Sequence, residues 1–508
     1  MPIATIREFI LTKIDPAFND FVTDAALSQL EWSIYTSNKT PERSALPNLE
    51  DPNYTEVRRA ISRLYCLHLL TDPDPTQLKS NYEKFISNQV KLDPFLPPLT
   101  FEAFQVLSQE FRPLDLWQKE ALITSTLISS VTLSPEAKEA AQKLMGSYPQ
   151  DSVEFLAKTF EDIEIAKKIY PLVADLFTRA PKSEHARLSG FLQAAFSSKQ
   201  HFRHMLYTEG GNSMFTALRN KIKAHALSKE DFLFWQQHWI TNITGFRGHI
   251  KPQGSLYLTQ NTFKAIQALR TELEKLYKDP PYDILPTYLT TRASWLGLSV
   301  RYDLNDVEKQ LLGHIGSMLR LFSPSEGIAL AAAYQSFPPL EKSRIEKQFR
   351  LIMEDTDSPT PTYAPALFDN ALIFVQNRDK YAKTAALPSV IRTCLPLYVE
   401  ALIQYQNLRS EGKLNLDTPL CFREIAGKEA IAKILEPKPE FSTQAALMID
   451  SDGLIHLSFP TPKPIFSSSS SAFLSNPPFV PQFHEASKGA PKTNAFQQNP
   501  RLQENTPS

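Results

Sequence analysis

Apolar residues recur every three or four positions through most of residues 1–435, and few stretches alternate apolar and polar as a half-buried strand does. Phe232, Trp235, Trp239, Ile240 and Ile243 make one such stripe. Phe263, Ile266, Leu269, Leu273 and Leu276 make a second, and Leu311, Leu312, Ile315 and Leu319 a third. Start and stop signals frame them. Ser134, Pro135 and Glu136 read as an N-cap, a first-turn proline and an acid at the positive dipole end, ahead of EAKEAAQKLM and the stop at Gly146. Ser228 with Asp231, and Asn305 with Glu308, read as cap pairs. Ser323-Pro324 opens a helix whose GIALAAAY face suits close helix contact, and Pro280-Pro281 closes another. Residues 382–408 read as one long helix that Pro388 and Pro396 should kink or break.

Two segments depart from this rhythm. SPTPTYAP at 358–365 predicts an extended connector. AALMIDSDGLIHL at 445–457 places two short apolar runs around Asp452-Gly453, a hairpin signal. From Phe459 onward Pro, Ser, Asn and Gln dominate, so too little apolar surface remains to offset the entropy of ordering. Phe466, Phe473, Phe479, Phe483 and Phe496 dot that tail, as docking motifs or as incidental residues. The expected fold class is therefore mainly α: a multi-helix body, one small β-hairpin and a disordered C-terminal tail. The regions run 1–250 (N-terminal helical), 251–440 (C-terminal helical), 441–458 (hairpin) and 459–508 (tail).

Composition narrows the function classes. A chain of 508 residues exceeds one typical core, and two or three domains is the prior expectation. Its 54 basic and 55 acidic residues leave a net charge of −1, so no global field draws it to nucleic acid. Cys66, Cys394 and Cys421 form no C-x-x-C pair and fit a reducing compartment. No apolar run approaches the roughly twenty residues of a spanning helix, and MPIATIREFILTKIDPAF lacks the apolar core of a secretory signal. A cytoplasmic protein with no integral membrane segment is expected.

Candidate chemistry concentrates in 232–262, which holds Trp235, Trp239, His238, His249, Gly245, Gly248 and Gly254. In GFRGHIKPQGS, amides exposed at the glycines together with Arg247 can hold a phosphate or carboxylate while His249 moves a proton. The same turn also reads as a capped interhelical corner, with Arg247 on helix-end carbonyls. It matches neither a P-loop nor a dinucleotide fingerprint. Upstream, HFRHMLYTEGG places His201 and His204 at i, i+3, a face that can bind a metal but is more often a surface or cap pair, with Arg203 and Glu209 close by. If helices over 212–227 and 229–243 run out and back, His204, Glu209, Arg247 and His249 face one cleft. The catalytic set on that expectation is His204, Arg247 and His249, with no cofactor and no metal. Glu354, Asp355 and Asp357 lack the ligand count of a calcium loop and read as a solvated loop, and Asp450 to Gly453 reads as a hairpin turn.

The helical body, the GFRGH…GSLYLT segment and the polar tail resemble uncharacterised, all-helical effector-like proteins of Legionella-type intracellular bacteria, closest over 235–300. That resemblance implies delivery into a host cytosol without a cleaved N-terminal signal, with recognition in a flexible C-terminus. The tail departs from the common acidic pattern, carrying Glu485 and Glu504 but no glutamate cluster. Two functional expectations follow: a helical interaction protein with a protein partner, secreted into a host cell, or a hydrolase or transferase acting on a phosphorylated or other anionic small molecule through the His/Arg set. A purely structural scaffold is a third.

Overall fold

The computed structural model describes residues 2–35, 49, 55–92, 96–129, 135–146, 152–196, 202–298, 304–435 and 446–458. His201, Ser134 and the tail from 459 lie outside them. Among the described residues the chain forms 23 α-helices and one two-stranded hairpin, a mainly α fold. The N-terminal helices are α1 Pro2–Phe9, α2 Asp24–Tyr35, α3 Thr55–Thr71, α4 Leu78–Ile86, α5 Gln89–Leu92, α6 Phe101–Phe111, α7 Leu116–Ile128 and α8 Pro135–Met145. There follow α9 Ser152–Glu161, α10 Ile163–Ile169, α11 Pro171–Arg179, α12 His185–Phe196, α13 Phe202–Leu206, α14 Ser213–Lys223, α15 Lys229–Thr244 and α16 Gln260–Lys278. The remainder are α17 Ile284–Trp295, α18 Asp306–Met318, α19 Pro324–Gln335, α20 Pro339–Glu354, α21 Ala364–Asp379, α22 Lys383–Ser410 and α23 Lys428–Ile434.

Local chemistry accounts for many of these boundaries. Reciprocal capping boxes open α15 (Ser228 with Asp231), α18 (Asn305 with Glu308) and α19 (Ser323 with Glu326), each satisfying amides that a helix start leaves without partners. Gly146 follows α8 with φ +70°, a left-handed stop open to glycine. The small face of α19 does permit a close approach: a Cβ on Gly327 would lie 2.0 Å from the Leu296 carbonyl oxygen at the end of α17.

Helix α22 runs unbroken through Pro388 and Pro396, where a kink or a break was expected. Proline in a helix interior costs about 3 kcal/mol. Against that, Leu387, Val390, Ile391, Leu395, Val399 and Leu402 are buried on this helix, which packs on α19, α20 and α21, at about 1.5–3 kcal/mol for each such side chain. Tertiary packing outweighs the local preference. By length and composition alone α22 could cross a membrane, yet over half of its most apolar stretch is buried inside the protein.

One apolar core runs from Ile6 to Ile455. The position 250–251, expected to divide two helical regions, lies in a turn whose two sides both pack on the N-terminal helices, so the core passes across it. The hairpin pairs β1 Ala446–Ile449 with β2 Ile455–Ser458, antiparallel, Ile449 facing Ile455. Its loop spans 450–454. Asp450 Oδ1 accepts from the amides of Asp452 and Leu454, each at 2.9 Å, and Gly453 takes φ +75°. The proline-rich connector is shorter than expected: it is free of helix over 358–362, where the Thr362 amide donates to Leu420 O and Thr362 O accepts from Phe422 N, while Tyr363 turns left-handed (φ +65°) and Ala364 and Pro365 already begin α21.

Candidate functional site

Helix α15 delivers the chain into the turn 245–255 with Phe232, Trp235, Trp239, Ile240 and Ile243 buried on it. The glycines of that turn serve proximity to α3. A Cβ on Gly245 would lie 2.6 Å from Arg63 N, and one on Gly248 would lie 2.4 Å from the Ser62 Cβ. Gly254 combines both demands, with φ +73° and the Phe85 carbonyl oxygen 2.5 Å from the position of a Cβ.

The polarity of the turn follows from this contact. Its amides bond inward: Gly248 N donates to Gly245 O at 2.8 Å and Ile250 N to Arg247 O at 2.9 Å. Its carbonyls receive side chains from elsewhere. Arg59 Nε donates to Phe246 O at 3.0 Å, Arg58 Nη2 to Ile250 O at 3.1 Å and Ser62 Oγ to Gly254 O at 3.1 Å. An anion nest offers convergent amides. Here the arginines of α3 do the work that the sequence had assigned to Arg247, meeting the negative end of α15.

His249 lies beside those arginines. Its Nδ1 accepts from Arg59 Nε at 3.2 Å, which leaves the proton of the neutral ring on Nε2. Burial, reinforced by the Arg59 charge, pushes its pKa down to about 4, so the ring is neutral at physiological pH. Arg59 in turn pairs with Glu56. His204 belongs to a different pair: its Nε2 lies 3.7 Å from Glu209 Oε2, and Glu209 is 6% exposed. The left-handed backbone at Thr208 (φ +50°) precedes Glu209, whose amide caps α13 by donating to His204 O at 3.0 Å. The Arg247 side chain is half-buried and has no hydrogen bond or ion pair among the described residues.

The two segments meet through Arg203, part of the HFRH constellation, and through Arg59 and Phe246, which the sequence did not single out. The Arg203 guanidinium lies 4.4 Å from the centroid of the Phe246 ring, and that of Arg59 lies 5.3 Å from the same centroid. Arg63 is 8% exposed, and its Nε and Nη1 have no partner among the described residues. Burial pushes the Arg63 pKa down to about 10, Glu56 pulling upward and the charges of Arg59 and Arg203 adding to the fall. The sequence did carry a trace of this group. Arg59 and Arg63 stand four apart on α3, a same-face spacing, and Gly245 and Gly248 stand three apart on the turn that packs there.

Other reactive groups are packed away. Burial pushes the thiols of Cys66 and Cys394 up to about 12, far from a nucleophile at neutral pH. Among the described residues no three His, Cys, Asp or Glu side chains converge as metal ligands would. Asp355 Oδ1 accepts from the amides of Asp357 and Ser358, closing the acidic loop on itself. A cavity of about 10 Å³, the scale of one water, lies among His314, Gln348, Leu395 and Tyr398. In comparisons with known proteins, no family model, no curated protein and no solved structure matches the chain.

Proposed function

We propose that this chain is a helical interaction protein that works by binding a protein partner rather than by turning over a substrate. One observation carries the reading: the corner richest in reactive side chains is committed to joining helices. His249 Nδ1 is occupied by Arg59, the turn carbonyls by Arg58, Arg59 and Ser62, and the space over Gly245 and Gly248 by α3. Exposed Leu340, Leu416 and Tyr381 offer apolar contacts on the surface. In its finer form, supported by the GFRGH…GSLYLT resemblance alone, the protein is delivered into a host cytosol and binds its partner there.

A second reading has its own support. Around the same turn Arg63, Arg203 and Arg247 have no carboxylate partner among the described residues, an arrangement that suits an anionic substrate. On that reading the protein is a hydrolase or transferase in which Arg247 neutralises charge while His204 and His249 carry protons.

The test pairs two measurements on the purified full chain. Quantitative crosslinking in host-cell extract, followed by calorimetry with the purified partner, is expected to give a defined stoichiometry that His249→Ala leaves unchanged. A panel of phosphate-ester and acyl substrates is expected to show no turnover. Turnover that disappears in both His204→Ala and His249→Ala would establish the second reading and end the first. A reporter fused to the chain and excluded from host cells would remove the delivery proposal while leaving partner binding standing.

A further inference from the structure

We propose that Arg59, Arg63 and Arg203 form a binding site for a phosphate-type oxoanion, as the free ion or as a small phosphate ester. The inference deepens the second reading, on which it rests: it names the ligand chemistry and the arginines that take it, and it stands apart from the interaction reading.

The argument starts from charge. Arg58, Arg59 and Arg63 stand on one helix, α3, and α13 brings Arg203 against them. Glu56 is a carboxylate whose charge reaches Arg63, and Glu56 is bonded to Arg59. Packing keeps the cations together despite their repulsion. Phe246 carries two guanidiniums on its ring, at 5.3 Å (Arg59) and 4.4 Å (Arg203). Gly245, one residue earlier, lies against Arg63: a Cβ there would be 2.4 Å from Arg63 Cγ. The three cations are thus held around two adjacent residues of one turn.

A structural role explains part of this cluster and leaves the rest. Arg58 and Arg59 donate to Ile250 O and Phe246 O at the C-terminal end of α15, as cations there do. Arg63 differs. Its Nε and Nη1 reach no carbonyl and no carboxylate among the described residues although the residue is 8% exposed. The Arg203 side chain also has no hydrogen bond or ion pair among the described residues. A buried guanidinium edge without an acceptor is unfavourable, and an oxoanion supplies acceptors in the geometry that a planar fork matches. A tetrahedral dianion reaches more than one guanidinium at once, whereas a monovalent halide offers no such bidentate contact. The near-complete burial of Arg63 favours a small ion or ester over a bulky one.

The experiment follows thermal unfolding of the full chain while sodium phosphate is added, against sodium chloride at equal ionic strength. The expected result is a saturable rise in Tm with phosphate and none with chloride. Arg203→Gln, at a half-buried position, is expected to weaken the apparent phosphate affinity by about tenfold, read as the phosphate shift relative to the variant's own Tm in chloride. Arg63→Met should abolish the phosphate response. Should that variant fail to fold, Arg203→Gln still decides. Phosphatidylcholine vesicles with and without phosphatidylinositol 4-phosphate distinguish the sources: binding only to the phosphorylated vesicles, lost in Arg203→Gln, supports the site and assigns it to a headgroup. Equal shifts in phosphate and chloride, or a phosphate response untouched by Arg203→Gln, would overturn the proposal. Neither outcome bears on partner capture, so the interaction reading stands or falls separately.

Discussion

His238 is wholly buried between α15 and α7, and every polar atom of its ring is matched. Its Nδ1 lies 2.9 Å from Ser125 Oγ, its Nε2 accepts from Asn242 Nδ2 at 3.0 Å, and Asn242 Oδ1 accepts from Ser129 Oγ at 2.9 Å. Ser125 Oγ donates onward to Leu122 O at 3.1 Å, so this serine and histidine are parts of a core network closed on itself. Burial, with the Arg63 charge adding, pushes the His238 pKa down to about 3, and burial pushes that of His314 down to about 4. Both values lie below the ordinary 6.5. Between about pH 4 and 6.5 the unfolded chain therefore binds more protons, and stability is complete above about 6.5 and falls as the pH drops. Each of the two is expected to contribute a loss of about 2 kcal/mol between neutrality and about pH 5. Urea midpoints at the two pH values check this, and His314→Leu should flatten the slope. A midpoint independent of pH would contradict it.

Among the elements, the contact of the 245–255 turn with α3 is the most demanding. Gly245→Ala or Gly248→Ala places a methyl group against the α3 backbone or Ser62, and a loss of at least about 2 kcal/mol is expected from the forced shift. Gly146→Ala is the comparison: nothing lies within 4 Å of its Cβ position, so only the left-handed backbone (φ +70°) opposes it, at about 1 kcal/mol. Chemical denaturation of the three variants checks the order, and equal losses would refute the close-approach account. At this scale the sequence was readable wherever the cause is local. Ser228, Asn305 and Ser323 each cap within three residues, and stripes such as Phe263 to Leu276 repeat within one helix. It was unreadable where distant burial overrides a local cost, as in α22 with its two prolines.

For the molecule as a whole, the shared core predicts joint unfolding. A fragment ending at Ile250 would expose the α4 and α5 surfaces that bond Ser255 and Leu258, since Gln89 Nε2 donates to both carbonyls. It would also strip away α16, which packs on α13 and meets α15 through Arg270 with Gln236 and Tyr277 on Phe232. Such a fragment is expected to melt without a cooperative transition by far-UV circular dichroism, whereas 1–460 melts cooperatively. A cooperative melt of 1–250 would restore an independent N-terminal domain.

The order of apolar and polar residues by itself determined the helical class, the starts of α15, α18 and α19 and the hairpin at 446–458, because hydrogen bonds and side-chain periodicity act over a few residues. It also marked the turn after Trp239 as unusual. Only the tertiary structure decided what that turn is made of. Arg59 and Arg63 come from almost two hundred residues earlier in the chain, and Arg203 from a separate helix. Which cations gather on Phe246, and which of them lack an acceptor, depends on how α3, α13 and α15 pack, and side-chain spacing within any one of them does not encode it.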